Sequence, residues 1–240
     1  MCNAKSYHSK QNAVFNGEEL NDKSGINTLF KSGFEYDDWP ILIDPSEGII
    51  AAHWEFIAPW LKNWNEVKQS RSKFTTLNAV GERLLESRLY NEAARKRRCL
   101  VVVTGFYEWR HYKPEGAKTV AKYPYYITLR QNRPFFMAGV YQPWTDRETG
   151  ETINTFATVT CAANELMAQV HNSKCRQPTI LPEELAKKWL SRDLSDSEIT
   201  QLAGYQIPAS EMIAYPVRKD FRQIPDPLEP CEYLELPPIL

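Results

Sequence analysis

Leu100-Val101-Val102-Val103-Thr104-Gly105-Phe106-Tyr107-Glu108-Trp109 decides the fold class of this chain. A β-branched run leads straight into an aromatic one, which is a strong strand signal. Strand alternation puts Phe106 and Glu108 on one face and Tyr107 and Trp109 on the other. On the N-terminal side, 41–43 and 48–56 read as strands. Residues 82–94, rich in Leu, Glu, Arg and Ala, read as a helix. Residues 1–38 are polar and rich in Asn, Lys and Gly, so they read as a loop-heavy entry with little regular structure. On the C-terminal side, 113–122 is a loop or hairpin tip. Strands at 125–129 and 135–141 read as a hairpin joined by 130–133, and 146–150 is a polar tip before a strand at 155–160. Helices follow at 163–170, from Pro182 through Leu190, and from Ser195 to Gly204. Strands followed by gathered helices define an α+β protein with a largely antiparallel sheet. No linker divides the chain, so 1–240 is expected to form one domain, with a Pro-rich tail at 225–240 wrapping the surface in extended form.

Composition narrows the function classes. The 240 residues carry a net charge of −1 and an ordinary share of apolar and charged residues. No global field draws the chain to a polyanion, so nucleic acid would have to meet a local basic patch. Two exist, Lys68/Arg71/Lys73 and the run Arg95–Arg98, each also readable as a solvated face. The five cysteines are odd in number, widely spaced and without a C-x-x-C pair. That argues against a disulfide scaffold or zinc ribbon and fits a reducing cytosol. His171 and Cys175 alone make a weak metal pair, so no metal and no cofactor are expected. No apolar run reaches membrane-spanning length and no signal peptide opens the chain. A cytoplasmic protein is expected.

Five residues stand out. Removal of Met1 would leave Cys2 as a 1,2-aminothiol, with amine and thiol reference pKa values near ~8 and ~8.5. Such a group condenses with an aldehyde and closes to a thiazolidine. Alone, Cys2 equally fits an incidental residue in a frayed terminus. Glu108 lies in an apolar strand, where a carboxylate is costly unless paired or useful as a general acid/base. His171 follows a helix beside polar and cationic groups and suits proton transfer, or is a satisfied structural histidine. Asn78 fits a turn or cap, or an amide donor to an oxyanion. Trp60, in an aromatic and proline cluster, is either core or a stacking surface for an unpaired base.

Taken together, the chain resembles the SOS-response-associated peptidase (SRAP) family of abasic-site-processing proteins. The resemblance rests on Met1-Cys2, Ala58-Pro59-Trp60, Asn78-Ala79 with Glu82, Gly105-Phe106-Tyr107-Glu108-Trp109, Thr158-Val159-Thr160 through Ala163-Asn164, and His171 with Arg176, Pro178 and Leu181. It implies a single α+β domain with a partly closed β-core, peripheral helices and a groove for single-stranded DNA containing abasic sites. It further implies Cys2 as the nucleophile that forms a thiazolidine crosslink, Glu108 as acid/base near its amine, His171 assisting sugar ring opening, and Asn78 positioning Cys2 or a substrate oxygen. Trp60, Lys73, Thr160 and Arg176 would contact DNA, with the protein at the nucleoid when acting there, and self-removal of Met1 is credited to the family; the sequence does not fix the oligomeric state, though a monomer is favoured.

The chain departs from the family at three places. Asn3-Ala4 replaces Gly-Arg, Val80 stands where an Arg is usual, and the step from His171 to Arg176 is stretched. Lys5, Lys73, Arg176 and Arg95–Arg98 stand as replacements for the lost cations. Two other classes stay open: a cysteine hydrolase pairing Cys161 or Cys175 with His171, and a noncatalytic single-strand-binding module.

Overall fold

Every residue of the segment 98–103 is buried, and topology is the reason. The computed structural model describes residues 3–8 and 12–239. Its strands begin with β1 (Ala4–Tyr7), β2 (Val14–Phe15), β3 (Glu18–Glu19), β4 (Thr28–Ser32), β5 (Asp38–Leu42) and β6 (Ile49–Trp54), followed by helix α1 (Trp64–Arg71) and β7 (Asn78–Val80). Next come α2 (Asn91–Lys96), β8 (Arg98–Val103), β9 (Gly105–Tyr112), β10 (Ala121–Leu129), β11 (Phe135–Thr145), β12 (Thr152–Ala162) and α3 (Glu165–Val170). The chain ends with β13 (Arg176–Pro178), β14 (Ile180–Leu181), α4 (Glu183–Leu190), α5 (Asp196–Ala203) and β15 (Met212–Pro216).

Strands β12, β6, β5, β8 and β11 pair in that order, and β11 pairs back onto β12, which closes the ring. A closed ring leaves no free edge among those five strands. The second sheet runs β15-β10-β9-β1-β4. Strand β8 has ring interior on one side and α4 and β1 against the rest, which accounts for its unbroken apolar sequence. The architecture is α+β. Only the β12 pairings with β6 and β7 are parallel among the described strands, so the sheet is largely antiparallel.

Three local readings are corrected. The entry segment is not mainly loop: all four residues of β1 are buried despite two polar side chains. Lys5 lies over the Trp54 ring at 3.7 Å and donates to Thr158 Oγ1 at 2.6 Å, while Ser6 pairs with the Tyr126 hydroxyl at 2.9 Å. Polar partners already inside the fold make these polar residues core residues.

Strands β10 and β11 form no hairpin, since β10 pairs with β9 and β15, and β11 with β8, β12 and β14. The turn itself is real, with Asn132 left-handed at φ 48° and its N–H bonded to Leu129 O. Arg130, however, bonds Glu211 and Ser210 and carries the chain away from β10, while Pro134 offers no ladder N–H. The expected helix at 82–94 breaks into a 3-10 turn at Gly81–Arg83, further turns, and the six-residue α2. Ser87 Oγ takes the N–H groups of Leu89 and Tyr90, offering the backbone an alternative to the helical ladder.

Other readings hold. Helix α5 opens on a Ser195–Glu198 capping box, and α4 has Pro182 as its N-cap. Phe106 joins the main core while Tyr107 packs in a second cluster with Tyr126 and Phe221, as the alternation requires. Gly105 is needed for close approach: a Cβ there would sit 2.2 Å from the Tyr126 ring. Beyond β15, Tyr233 and Glu235 hydrogen-bond Val217 O and Tyr123, and Arg110 donates to Pro237 O, so the C-terminal segment is tied down on β9 and β10.

Candidate active site at the open edge of strand β9

Among the described residues, strand β1 pairs with Gly105 and Phe106 of β9. Beside this pairing a cleft of about 370 Å³ opens, with Glu108, His171, Asn3 and Ser32 in its lining. Alternation directs Glu108 inward from this edge, and it is only 3% exposed. The loop after α3 docks on the same edge: Asn172 accepts from the His111 N–H at 3.0 Å and donates to the His111 carbonyl at 2.8 Å. One carboxamide thus stands in for a missing strand neighbour. It pins His171 over Glu108, with Nε2 3.7 Å from Glu108 Oε2.

The electrostatics of the pair follow from burial. Burial pushes Glu108 up to about 7, and pushes His171 down to about 4. At neutral pH the imidazole is uncharged. Its Nδ1 lies 2.7 Å from the Arg176 carbonyl, which can only accept, so Nδ1 carries the hydrogen and Nε2 is a base. Glu108 then holds or releases a proton near pH 7 beside that base. The 3.7 Å interval is too long for a direct hydrogen bond. A bound hydroxyl can bridge it, so the arrangement can shuttle protons at a small polar ligand.

The stretched step between His171 and Arg176 does not pull the histidine out of place. Residues 172–175 project outward as an exposed turn with Cys175 left-handed at φ 49°, and the Nδ1 bond ties its two ends together.

Asn78 approaches from the other side. It is 8% exposed, and its Nδ2 donates to Asn3 Oδ1 at 2.6 Å, while the Asn3 carbonyl accepts from Gly33 at 2.7 Å. Asn3 is therefore held on two sides at the cleft. Cys2 lies outside the described residues.

The residues expected to touch DNA divide. Trp60 is 57% exposed, and Lys73 is exposed just after α1. Thr160 is fully buried, its hydroxyl on Ala79 O. Arg176 grips Glu82 at 2.7 and 2.8 Å and the Thr160 carbonyl at 2.6 Å. Burial alone would raise Glu82, but these hydrogen bonds hold it below the usual range. Thr160 and Arg176 thus brace β7, β12 and β13 against one another.

Most cations expected to replace the missing arginines are occupied. Lys5 is fully buried. Arg98 donates to the carbonyls of Ala94, Arg95, Trp189 and Ser191, capping two helix ends. Arg95 pairs with Asp196 and Arg97 with Glu92, and in the other basic patch Arg71 pairs with Glu55.

An internal thiol does not complete a hydrolase pair here. Cys161 is buried, with Sγ on Tyr205 O and burial raising its thiol; Cys175 is exposed, with Sγ 4.0 Å from Asn172 O. The described contacts of the His171 ring are with Arg176 O and Glu108. Among the described residues no group of three His, Cys, Asp or Glu could hold a metal ion, and no helix is long and apolar enough to cross a membrane.

Sequence reasoning passed over Asn3, Asn172, His111, Lys122 and Arg222. The last two stand on the cleft rim although 100 positions separate them. The β9–β10 register that sets His111 opposite Lys122 was available as a hairpin, but nothing in the local sequence ties Arg222 to it.

This fold and site define a closed-barrel α+β protein with a carboxyl–imidazole pair at an open strand edge. The family model for the SOS response associated peptidase (SRAP) matches residues 32–224, and the chain belongs to that family. It is 30% identical over 164 residues to the abasic site processing protein YoqW of Bacillus subtilis, covering 68% of this chain and 66% of that one. It is 30% identical over 167 residues to the abasic site processing protein HMCES of Xenopus tropicalis, covering 61% and 46% respectively. The chain thus spans just under two thirds of YoqW and less than half of HMCES. A crystal structure of a protein from Bacteroides thetaiotaomicron superposes with a TM-score of 0.73 at 34% identity, covering 84% of this chain and 82% of that one.

Proposed function

We propose that this protein processes abasic sites in single-stranded DNA by forming a covalent crosslink through Cys2 once Met1 has been removed. The observation that carries the reading is the buried Glu108–His171 pair facing a cleft that Asn3 also lines. Cys2 is the chain neighbour of Asn3. The names of YoqW and HMCES support the substrate class.

The chemistry balances with these groups alone. Neutral His171 takes the hydroxyl proton of the closed sugar as Glu108 returns one to the ring oxygen, which frees the aldehyde. The imidazolium of His171 returns its proton to Glu108, the Cys2 amine adds to the aldehyde carbon, and the carbinolamine oxygen leaves as water on protonation by Glu108, whose carboxylate then takes the proton shed by the nitrogen. The thiol sulfur then adds to the imine carbon, its proton passes to the nitrogen, and a five-membered thiazolidine closes. Ring closure is favoured because the sulfur is already tethered. Glu108 assists reopening by the same path, which gives the adduct a lyase-like release. Asn78 orients Asn3, and through it the approach of residue 2. Removal of Met1, by the chain itself or by a separate aminopeptidase, precedes all of this. The protein acts as a monomer on nucleoid DNA, with Trp60 and Lys73 contacting the strand.

Incubation of Cys2→Ser and wild type with an abasic oligonucleotide tests the reading. Wild type gives an adduct stable to heat and denaturant, and Cys2→Ser gives at most a reversible imine. A Cys2→Ser adduct of full stability would remove the ring mechanism. Equal binding of intact and abasic strands with no adduct would instead favour a noncatalytic binding module.

A further inference from the structure

The far rim of the cleft carries two cations. Lys122 stands opposite His111 across the β9–β10 ladder, and Arg222 arrives from the 3-10 turn Phe221–Gln223 after β15. All three line the cleft that holds Glu108 and His171. Among the described residues, neither Lys122 nor Arg222 has a side-chain hydrogen bond or an acidic partner. The Arg222 guanidinium lies instead over the Phe30 ring at 4.8 Å, with the Trp109 ring at 5.9 Å.

This sets them apart from the arginines that the sequence offered for DNA. Arg71, Arg95, Arg97, Arg98 and Arg176 are each committed to a carboxylate or to backbone carbonyls. Glu108 is the one acid among the described lining residues, and it is buried. The rim therefore presents two uncompensated positive charges, one of them set over aromatic rings, at the mouth of the cleft. Positions 4 and 80, Ala and Val here, offer no cation. A planar guanidinium and a mobile ammonium without acids recognise a phosphodiester, the guanidinium by paired N–H donors and the ammonium as a point charge. Phe34, 56% exposed on the same cleft, adds a face on which a neighbouring base can stack.

We propose that Lys122 and Arg222 form a phosphate subsite that holds the DNA backbone beside the abasic sugar. The proposal deepens the function proposed above and rests on it for the identity of the strand.

The test measures binding of a fluorescent abasic single strand against salt for wild type and the Lys122→Gln/Arg222→Gln double variant, followed by adduct formation against DNA concentration. Both residues are exposed, so the double variant keeps the wild-type melting temperature. Each lost contact lowers the salt slope by roughly 0.7, so the pair lowers it by roughly 1.4 and raises half-saturation about tenfold near 0.15 M salt. Lys118→Gln, an exposed lysine on the β9–β10 tip outside this cleft, changes the slope little and controls for net charge. A double variant with wild-type slope and half-saturation overturns the subsite, whatever the adduct chemistry. If wild type binds strands with the expected slope difference yet gives no adduct, the subsite stands and the crosslinking reading fails. If wild type binds no strand at all, both fall.

Discussion

Replacing Glu108 by Gln should stabilise this protein in a pH-dependent way while harming its chemistry. The side chain is 3% exposed, and burial moves its pKa from the ordinary 4.5 to about 7. The unfolded chain therefore ionises near 4.5 and the native chain near 7, so the native state binds the extra proton between them. Stability from the neutral acid is fully present below 4.5 and is lost as pH rises through 7. At roughly 1.36 kcal/mol per pH unit, the full interval amounts to about 3 kcal/mol. Most of it, about 2–3 kcal/mol, falls between pH 5 and 8. The carboxamide of the Glu108→Gln variant does not titrate. For a chain of this size that corresponds to a melting advantage of the variant that widens by roughly 5–10 °C over the same range. His171 titrates in both proteins and, with its pKa lowered to about 4, destabilises both in acid as pH falls below 6.5. The difference between the two melting curves therefore isolates Glu108. Differential scanning calorimetry of the DNA-free proteins at about pH 5, 6.5 and 8 provides the measurement. An advantage that stays flat with pH, or a wild type that gains on the variant as pH rises, refutes the argument that burial governs this carboxyl.

Other expectations follow from particular contacts. Trp60→Ala removes an exposed ring, so melting stays within about 0.5 kcal/mol while single-strand affinity measured by anisotropy falls by about 1–3 kcal/mol. Lys5→Met trades a buried ammonium on Trp54 for an apolar chain; it shifts the melting temperature and leaves the DNA salt slope unchanged, whereas a lowered slope would return Lys5 to the DNA surface. Gly105→Ala drives a methyl to 2.2 Å from Tyr126 and costs about 1–3 kcal/mol or more by denaturant titration. A neutral outcome there would mean that β9 and Tyr126 have room to separate.

Much of the fold was legible because its signals are local. The run Val101–Val103, the helix start at Ser195 and the alternation through Phe106–Trp109 each act within a few residues, and each appears where expected. Strand partners are not local. Strands β10 and β11 read as a hairpin because apolar pattern and a turn motif cannot say that each already has neighbours in different sheets. Lys5 read as a cation for DNA in a loop-heavy entry because its partners, Trp54 and Thr158, lie far along the chain. In the site, Glu108 drew notice as a carboxylate among aromatics, and His171 as a lone imidazole after a helix. What joins them is the Asn172 clasp on His111, a contact across 61 positions with no sequence signature. The basic run Arg95–Arg98 misled for a related reason: clustering in sequence says nothing of the helix ends and acids that consume its charges.

Intact-mass analysis of the protein before and after incubation with an abasic single-stranded oligonucleotide tests the central claim most directly. The protein alone should lack Met1, and the product should weigh the sum of that protein and the oligonucleotide less one water. A protein that retains Met1 and still captures the strand, or a Met1-free protein that gains no mass, contradicts the account.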